Sequence, residues 1–194
     1  SFYQKKFLEH GLYEEVPQLN LIHEQVIDFI KGKSNDLPDT FNLREKQHLG
    51  DVRNVVKKLS NFLYFLIILS LALSIISINK LKKKKNIINF FGKVLFYGGL
   101  LTMVISTILF LFVVFDFVAV FESFHLLFFK EGSYVFDPSK EMLVRIYPEG
   151  LFMDLGLRIM KFVLIISLLI ILGCKYFVLG FKNKKNKNTD RLKI

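Results

Sequence analysis

Four histidines are the residues of this 194-residue chain best suited to acid–base chemistry near neutral pH, and two of them have a carboxylate three residues away. Asp51 follows His48 by three residues, and Glu122 precedes His125 by three. On a helix, this spacing places each imidazole and its carboxylate on one face. A neighbouring carboxylate fixes the tautomer of the ring and raises its basicity, as a general base requires. A histidine on a charged helix also acquires acidic neighbours by chance, so a purely structural interpretation stays open.

Support for a nucleophilic side chain is weak. Cys174, the single cysteine, lies in an apolar segment where a thiolate would be poorly solvated. Ser123 lies close to His125, but the sequence contains no Gly-x-Ser-x-Gly motif. Two carboxylate–histidine pairs on facing helices could hold metals, but only Asp137 and Glu149 are nearby as further ligands. We therefore predict no metal and no cofactor, and a nucleophile that belongs to the substrate or is water.

Three apolar segments must position these residues. The chain is 52% hydrophobic, contains 22 phenylalanines and has a mean hydropathy of +0.40. Its apolar residues concentrate at 62–78, at 94–115 and, interrupted by Lys175, at 162–181. A helix needs roughly 20 mostly apolar residues to cross the hydrocarbon of a bilayer. The predicted fold is therefore an all-α, polytopic membrane helix bundle with three spans in this chain.

The charge distribution predicts how the spans are oriented. The net charge of +10 could indicate nucleic-acid binding, but it is confined to two stretches. Residues 80–93 and 175–193 carry thirteen basic side chains and one acidic one, whereas residues 1–60 are balanced and residues 116–161 carry −2. The positive-inside rule accounts for this pattern, with both basic stretches on the cytoplasmic side of a plasma membrane. We therefore expect no nucleic-acid partner.

This topology divides the chain into seven segments. An extracytoplasmic helical segment at 1–60 precedes transmembrane helices predicted at 61–79, 94–115 and 158–181. Cytoplasmic segments are predicted at 80–93 and 182–194, and an aromatic extracytoplasmic segment, interfacial or re-entrant, at 116–157. An outer N-terminal segment needs a preceding hydrophobic segment to carry it across the membrane, so we expect one before Ser1 and four spans in the full protein.

Local patterns predict the elements of the outer segments. Apolar residues recur at helical spacing at Leu19, Ile22, Val26 and Ile30, and Gly32 follows as a helix stop. Asn42 and Glu45 match a capping box, which predicts a helix from about Leu43 that continues into the first span. A turn is expected at residues 137–139, and a break at Pro148.

Two motifs resemble those of a known family. Residues 44–52 have the sequence REKQHLGDV, just before a span, and residues 124–138 have the sequence FHLLFFKEGSYVFDP, followed by RIYPE at 145–149 and by Phe152. In order, spacing and topology the chain resembles the bacterial lipoprotein intramolecular transacylase (Lit) family over nearly its whole length, without the first span of that family.

The resemblance implies an activity. Lit proteins of low-GC Gram-positive bacteria act on diacylglyceryl lipoproteins at the outer face of the plasma membrane. They move the sn-2 acyl chain of the glyceryl group to the α-amino group of the lipid-bearing cysteine, which gives a lyso-form lipoprotein. The partners it implies are such a lipoprotein and membrane lipids. Because nucleophile and leaving group lie on one molecule, this acyltransferase needs no acyl-enzyme intermediate.

The resemblance also implies site residues. His48 and His125 match the two essential histidines of the family, and we expect one to act as base and the other to supply a proton. We expect Asp51 and Glu122 to orient them. Arg145 or Tyr147 is expected to stabilise the oxyanion, although both also fit interfacial anchors. The expected substrate-lining residues are Phe128, Phe129, Tyr134 and Phe136.

Three other functions stay open. An aromatic interfacial segment suits a non-enzymatic accessory or lipid-binding membrane protein equally well. A metal-dependent membrane hydrolase requires bound metal. A transporter is the least supported, because the spans lack internal ionisable residues that would mark a pathway.

Overall fold

The computed structural model describes residues 2–16, 18–81 and 83–190, without the side chains of Lys85 and of residues 177–190. The basic tail predicted at 182–194 therefore lies outside the described side chains, and its last four residues lie outside the described backbone as well.

The described part of the chain consists of α-helices and connecting loops, with no strand. The helices are α1 (Phe2–Glu9), α2 (Leu12–Glu15), α3 (Leu19–Ile30), α4 (Leu43–Leu81), α5 (Lys84–Phe115), α6 (Phe117–Phe128), α7 (Met142–Ile146) and α8 (Glu149–Asp190). They form two compact units. The first contains the chain up to Leu66 together with Asp116–Leu155, and the second contains Ile67–Phe115 and the chain from Gly156 onward.

The first unit has its own hydrophobic core, in which α3 is central. Leu19, Ile22 and Val26 are buried on one face of α3, as their spacing predicts. Phe29 completes that face, with Ile30 partly buried beside it. Side chains from α1, α2, α7 and the start of α8 pack against them: Phe7, Leu12, Leu143, Ile146 and Leu151. Burial of this kind stabilises a fold by about 1.5–3 kcal/mol per large side chain.

The start of α4 is fixed by the predicted capping box. The backbone N–H of Glu45 donates to Asn42 Oδ1 at 2.9 Å, and the N–H of Asn42 donates to Glu45 Oε2 at 2.7 Å. The other oxygen of the same carboxylate accepts the N–H of Leu143 at 2.6 Å, near the start of α7. Glu45 is only 1% exposed. One buried carboxylate thus joins the starts of α4 and α7, three residues before His48.

The second unit contains long apolar helices. α4, α5 and α8 each contain a stretch long and apolar enough to cross a membrane. α4 has 39 residues, a length of about 58 Å, whereas the hydrocarbon core is about 30 Å thick. Only part of α4 can therefore lie in the hydrocarbon, and its charge-free part at 62–78 suits that role.

Polar side chains within these helices bond to their own backbone. Six hydroxyls donate to a carbonyl oxygen three or four residues earlier, which satisfies them where water is scarce: those of Ser70, Ser74, Ser77, Thr102, Thr107 and Ser167. At Gly99 a Cβ would lie 3.3 Å from side-chain atoms of Ile170 and Ile171. Glycine therefore allows α5 to pack closely against α8. The all-α architecture and the three membrane-spanning helices confirm the predicted fold class.

Candidate active site

His48 and His125 face each other in the first unit, although 76 residues separate them along the chain. His48 lies in the second turn of α4, and His125 lies in the last turn of α6. Their ring centroids are 6.3 Å apart and the ring planes differ by 18°. α6 is fixed at its start by the Asp116 side chain, which accepts the N–H of Ala119 at 3.0 Å. The two histidines named by the sequence motifs therefore form one site.

His48 is buried among aromatic rings. It is 8% exposed, and its ring lies 4.9 Å from that of Phe129 and 5.3 Å from that of Phe136. Its Nδ1 is the one buried side-chain nitrogen or oxygen without a hydrogen-bond partner within the described side chains. Unpaired buried polar atoms are uncommon because each costs about 1–3 kcal/mol, and they often mark function. His48 thus has bonding capacity that the fold does not use.

The electrostatic surroundings keep His48 neutral. Burial, followed by the charge of His125 when that ring is protonated, lowers the pKa of His48 to about 4, although the Asp51 carboxylate acts in the opposite direction. His48 lies outside the membrane-spanning part of α4, because the charge-free stretch of that helix begins only at Phe62. At neutral pH the ring can therefore donate one hydrogen bond from one nitrogen and accept one at the other, without carrying a charge.

His125 has a defined tautomer. Its Nδ1 lies 2.7 Å from the carbonyl oxygen of Phe121, one helical turn earlier. A carbonyl oxygen only accepts, so Nδ1 must carry the hydrogen. In the neutral ring, Nε2 then has the free lone pair. His125 is thus arranged as a base at Nε2.

Aromatic side chains enclose the pair. The His125 ring lies 4.2 Å from that of Phe121, 4.8 Å from that of Tyr134 and 5.5 Å from that of Phe129. Of the four predicted lining residues, Phe129, Tyr134 and Phe136 contact a histidine. Phe128 contacts Phe124 at 4.9 Å instead. Phe121 was not predicted, although its position four residues before His125 on a helix was a usable signal.

Neither of the carboxylates expected to orient the histidines, Asp51 and Glu122, bonds to a histidine Nδ1. The structure gives His125 a backbone carbonyl as its Nδ1 partner, and Glu122 is exposed. Asp51 acts on His48 electrostatically, but it is exposed and does not bond to the buried Nδ1. A buried carboxylate would need its own donors, whereas the helix supplies a carbonyl one turn earlier at no desolvation cost. Backbone geometry and packing therefore orient these rings.

Arg145 and Tyr147 also have contacts other than those expected for oxyanion donors. Arg145 Nη2 lies 3.9 Å from Glu15 Oε2, and Tyr147 Oη lies 3.0 Å from His23 Nδ1. Burial of Leu143 and Ile146 sets the rotation of α7 and turns its neighbours toward α1–α3. Burial also raises the pKa of Tyr147, so its hydroxyl stays protonated.

Within the described side chains, no group of three or more His, Cys, Asp or Glu residues is arranged to hold a metal ion.

The other two histidines, His10 and His23, lie apart from the pair of His48 and His125 in the contacts that they make. His10 lies 3.8 Å from Asp154 and pairs with it only when protonated, and His23 packs against Tyr3 with a centroid distance of 4.5 Å.

Comparison with known proteins identifies the family. The model of the lipoprotein intramolecular transacylase Lit family matches residues 1–152. The chain belongs to this family. The Lit family is one of intramolecular transacylases, so the chain is an acyltransferase of the membrane, and both the predicted family and the predicted enzyme class are confirmed. A search of curated proteins found no match.

Solved structures of Lit from Bacillus cereus share the fold of this family member. One is 24% identical with a TM-score of 0.74, and the alignment covers 93% of this chain and 83% of that chain. A variant of that protein with one histidine replaced by arginine is 23% identical with a TM-score of 0.68, covering 94% and 81%. A variant with alanine at a histidine is 23% identical with a TM-score of 0.67, covering 93% and 81%. All three describe a membrane-integral protein, as predicted for this chain.

Proposed function

We propose that this protein transfers the sn-2 acyl chain of a diacylglyceryl lipoprotein to the α-amino group of the lipoprotein's N-terminal cysteine. One observation carries the proposal. A histidine whose lone pair is fixed at Nε2, His125, faces a buried and neutral histidine, His48, whose bonding capacity is unused. This arrangement provides a base and a neutral hydrogen-bond donor, and the substrate supplies the nucleophile.

In the first step, the neutral α-amino nitrogen attacks the carbonyl carbon of the sn-2 ester. A new N–C bond forms, and the C=O π electrons move to oxygen. His125 Nε2 takes the proton that the nitrogen must lose. An α-amino group has a pKa near 8, so about a fifth of it is already neutral near physiological pH.

In the second step, the tetrahedral intermediate collapses. The bond between the carbonyl carbon and the glyceryl oxygen breaks, and protonated His125 returns its proton to that oxygen. His48 acts as the neutral donor to the oxyanion, a role that a low pKa favours because the ring keeps one N–H and adds no net charge. The product is an isomer of the substrate, with one amide and one free hydroxyl, and no further reactant is needed.

The aromatic enclosure supports the same chemistry. Water that reached the ester would compete with the amine and release a free fatty acid. Phe129, Tyr134 and Phe136 cover the two imidazoles and restrict that access. We assign these three residues to substrate lining. Large exposed apolar side chains of α6, including Leu126 and Leu127, suit contact with acyl chains and membrane lipids.

The charge asymmetry supports an orientation for this reaction. Residues 80–93 and the C-terminal tail carry the basic excess, which favours the cytoplasmic side of the plasma membrane. By the same rule, residues 1–60 and 116–157 belong outside. Both histidines would then meet the lipoprotein on the extracytoplasmic side.

The direct test is expression of the protein, with any native sequence that precedes this chain, in a bacterial host that lacks lipoprotein N-acylation. Transfer leaves the mass of the lipoprotein unchanged, so the readout is tandem mass spectrometry of its N-terminal peptide together with mild alkaline hydrolysis. Hydrolysis releases one ester-linked acyl chain from the product and two from the substrate. Family membership identifies an enzyme and thereby argues against the non-enzymatic alternative.

The matched variants are His125→Ala and His10→Ala, which remove one histidine each. His10 lies outside the histidine pair, so its loss should leave the lyso form in place. The His125→Ala variant should leave only the diacylglyceryl form. Lyso-form lipoprotein at the wild-type level in the His125→Ala strain would refute the assignment of the base.

A further inference from the structure

Arg44 occupies the same face of α4 as His48. It lies in the first turn, four residues before the histidine, and this spacing aligns the two side chains along the helix. Its side chain is about half exposed, so it is available for contacts beyond its own helix. Among the described residues, its hydrogen bonds and its ring contact are with the connection between α6 and α7.

The guanidinium group holds that connection by its backbone. Nη2 donates to the carbonyl oxygen of Gly132 at 2.9 Å and to that of Val135. The same group lies over the ring of Phe136, 5.0 Å from its centroid. Gly132 has φ +76°, a left-handed conformation that directs this tight turn. A planar fork with several donors suits two carbonyl oxygens at once, which the point charge of lysine does not.

A buried carboxylate completes the arrangement. Arg44 Nη1 donates to Glu141 Oε1 at 3.2 Å, and Glu141 is 7% exposed. The other oxygen, Glu141 Oε2, accepts the backbone N–H of Asp137 at 2.6 Å. Arg44 and Glu141 thus bind residues 132–137 from both ends.

The segment held in this way carries two rings of the active site. The Tyr134 ring lies 4.8 Å from that of His125, and the Phe136 ring lies 5.3 Å from that of His48. Val135, between them, points away and is 62% exposed. The side chains of this segment thus alternate between the histidine pair and the exterior, and its backbone determines where both rings lie.

We infer that Arg44 is a positioning residue for acyl transfer: it holds residues 132–137 so that Tyr134 and Phe136 close over the histidine pair. The inference rests on the proposed function. Without the guanidinium group, water replaces its bonds to both carbonyl oxygens, and the two rings lose their fixed place. A misplacement of about 1 Å can cost about 100-fold in rate.

The test combines a mobility probe with kinetics. The single cysteine is replaced by Cys174→Ala, and a nitroxide is attached at Val135→Cys, whose side chain is exposed; Leu8→Cys, 71% exposed on α1, serves as the reference label. Arg44→Gln should sharpen the spectrum at position 135 and leave that at position 8 unchanged. The spectrum of Arg44→Lys at position 135 should be intermediate between those of wild type and Arg44→Gln. This second variant keeps the experiment informative if the glutamine variant does not fold.

Acyl transfer is measured on the unlabelled variants with a synthetic diacylglyceryl lipopeptide. Arg44→Gln should lower kcat by about 10- to 100-fold with little change in KM, because the geometry of the reacting groups changes. Lys46→Gln is the matched control. It removes the same charge two residues away, from a side chain that pairs with Asp39. An unchanged spectrum at position 135, or a kcat equal to that of Lys46→Gln, overturns the inference. Failure of the proposed function is a separate result, because the wild-type protein would then give no lyso product.

Discussion

The first unit contains two clusters in which a histidine packs among aromatic rings, and they differ in how far the histidine is satisfied. In one cluster, His23 lies beside Tyr3 and Phe7, and its Nδ1 is bonded by the Tyr147 hydroxyl. In the other, His48 has similar aromatic neighbours, but its Nδ1 has no partner within the described side chains. Burial lowers the pKa of both histidines.

This difference separates a structural histidine from one available for chemistry. A buried polar group normally obtains a partner because an unpaired one destabilises the fold. His23 has such a partner. His48 instead faces a second imidazole of fixed tautomer, with a distance of 6.3 Å between the ring centroids. Aromatic surroundings and a lowered pKa are common to both histidines, and unused bonding capacity distinguishes His48, which we propose for the active site.

Replacement of each histidine in turn gives the largest expected contrast. His48→Ala should lower kcat by about 100- to 1,000-fold, the effect of removing one oxyanion donor. His23→Ala should leave kcat per folded molecule within about twofold, because its loss acts on packing and stability. The measurement is the single-turnover rate of acyl migration in a synthetic lipopeptide. Equal losses in the two variants would show that the clusters do not differ as described.

Acid should destabilise the protein through His48. Because its folded pKa is about 4 against an ordinary value of 6.5, the unfolded chain binds a proton that the folded protein excludes between those values. The stabilisation is therefore complete above pH 6.5 and decreases by roughly 2–3 kcal/mol as the pH falls to about 4.

The check is the thermal midpoint of purified protein in detergent from pH 7.5 to pH 4, for wild type and His48→Gln. On acidification, the thermal midpoint of His48→Gln should fall less than that of the wild type. His23→Gln is the matched comparison, because its histidine also has a lowered pKa and contributes with the same sign. Parallel curves for wild type and His48→Gln would contradict the burial of a neutral ring.

The smallest expected effect is that of Tyr147→Phe. This change removes the hydroxyl that bonds His23 Nδ1 and should cost about 1 kcal/mol of stability. The rate of acyl transfer should stay at the wild-type level, because the hydroxyl is engaged away from the histidine pair. A tenfold fall in kcat at an unchanged thermal midpoint would restore Tyr147 as an oxyanion donor.

Features determined by neighbouring residues were predictable from the sequence. The capping box at Asn42 and Glu45 uses atoms three residues apart, so its pattern predicted the start of α4. The buried face of α3 followed from its periodicity in the same way. The three spans followed from the length of their apolar runs.

Features that depend on tertiary packing were not predictable from spacing. The two histidines lie on different helices, and only the family motifs named them together. The expected partner of His125 was the carboxylate of Glu122, but the ring bonds to the carbonyl oxygen of Phe121. Spacing on a helix indicates which groups are within reach, and competition among them, including backbone groups, decides which one bonds. The same holds for Tyr147, whose partner comes from α3.

The two oxygens of the Glu45 carboxylate accept hydrogen bonds at the starts of two helices, and this limits where residues can be inserted into or deleted from α4. Because Glu45 joins the starts of α4 and α7, it sets the phase of His48 around the helix axis, three residues on. One inserted residue between them would turn the imidazole by about 100° and point it away from α6. An insertion beyond Phe62 leaves that angle unchanged. Insertions and deletions should therefore be tolerated in the membrane part of α4, where they adapt it to bilayers of different thickness, and rejected between Glu45 and His48.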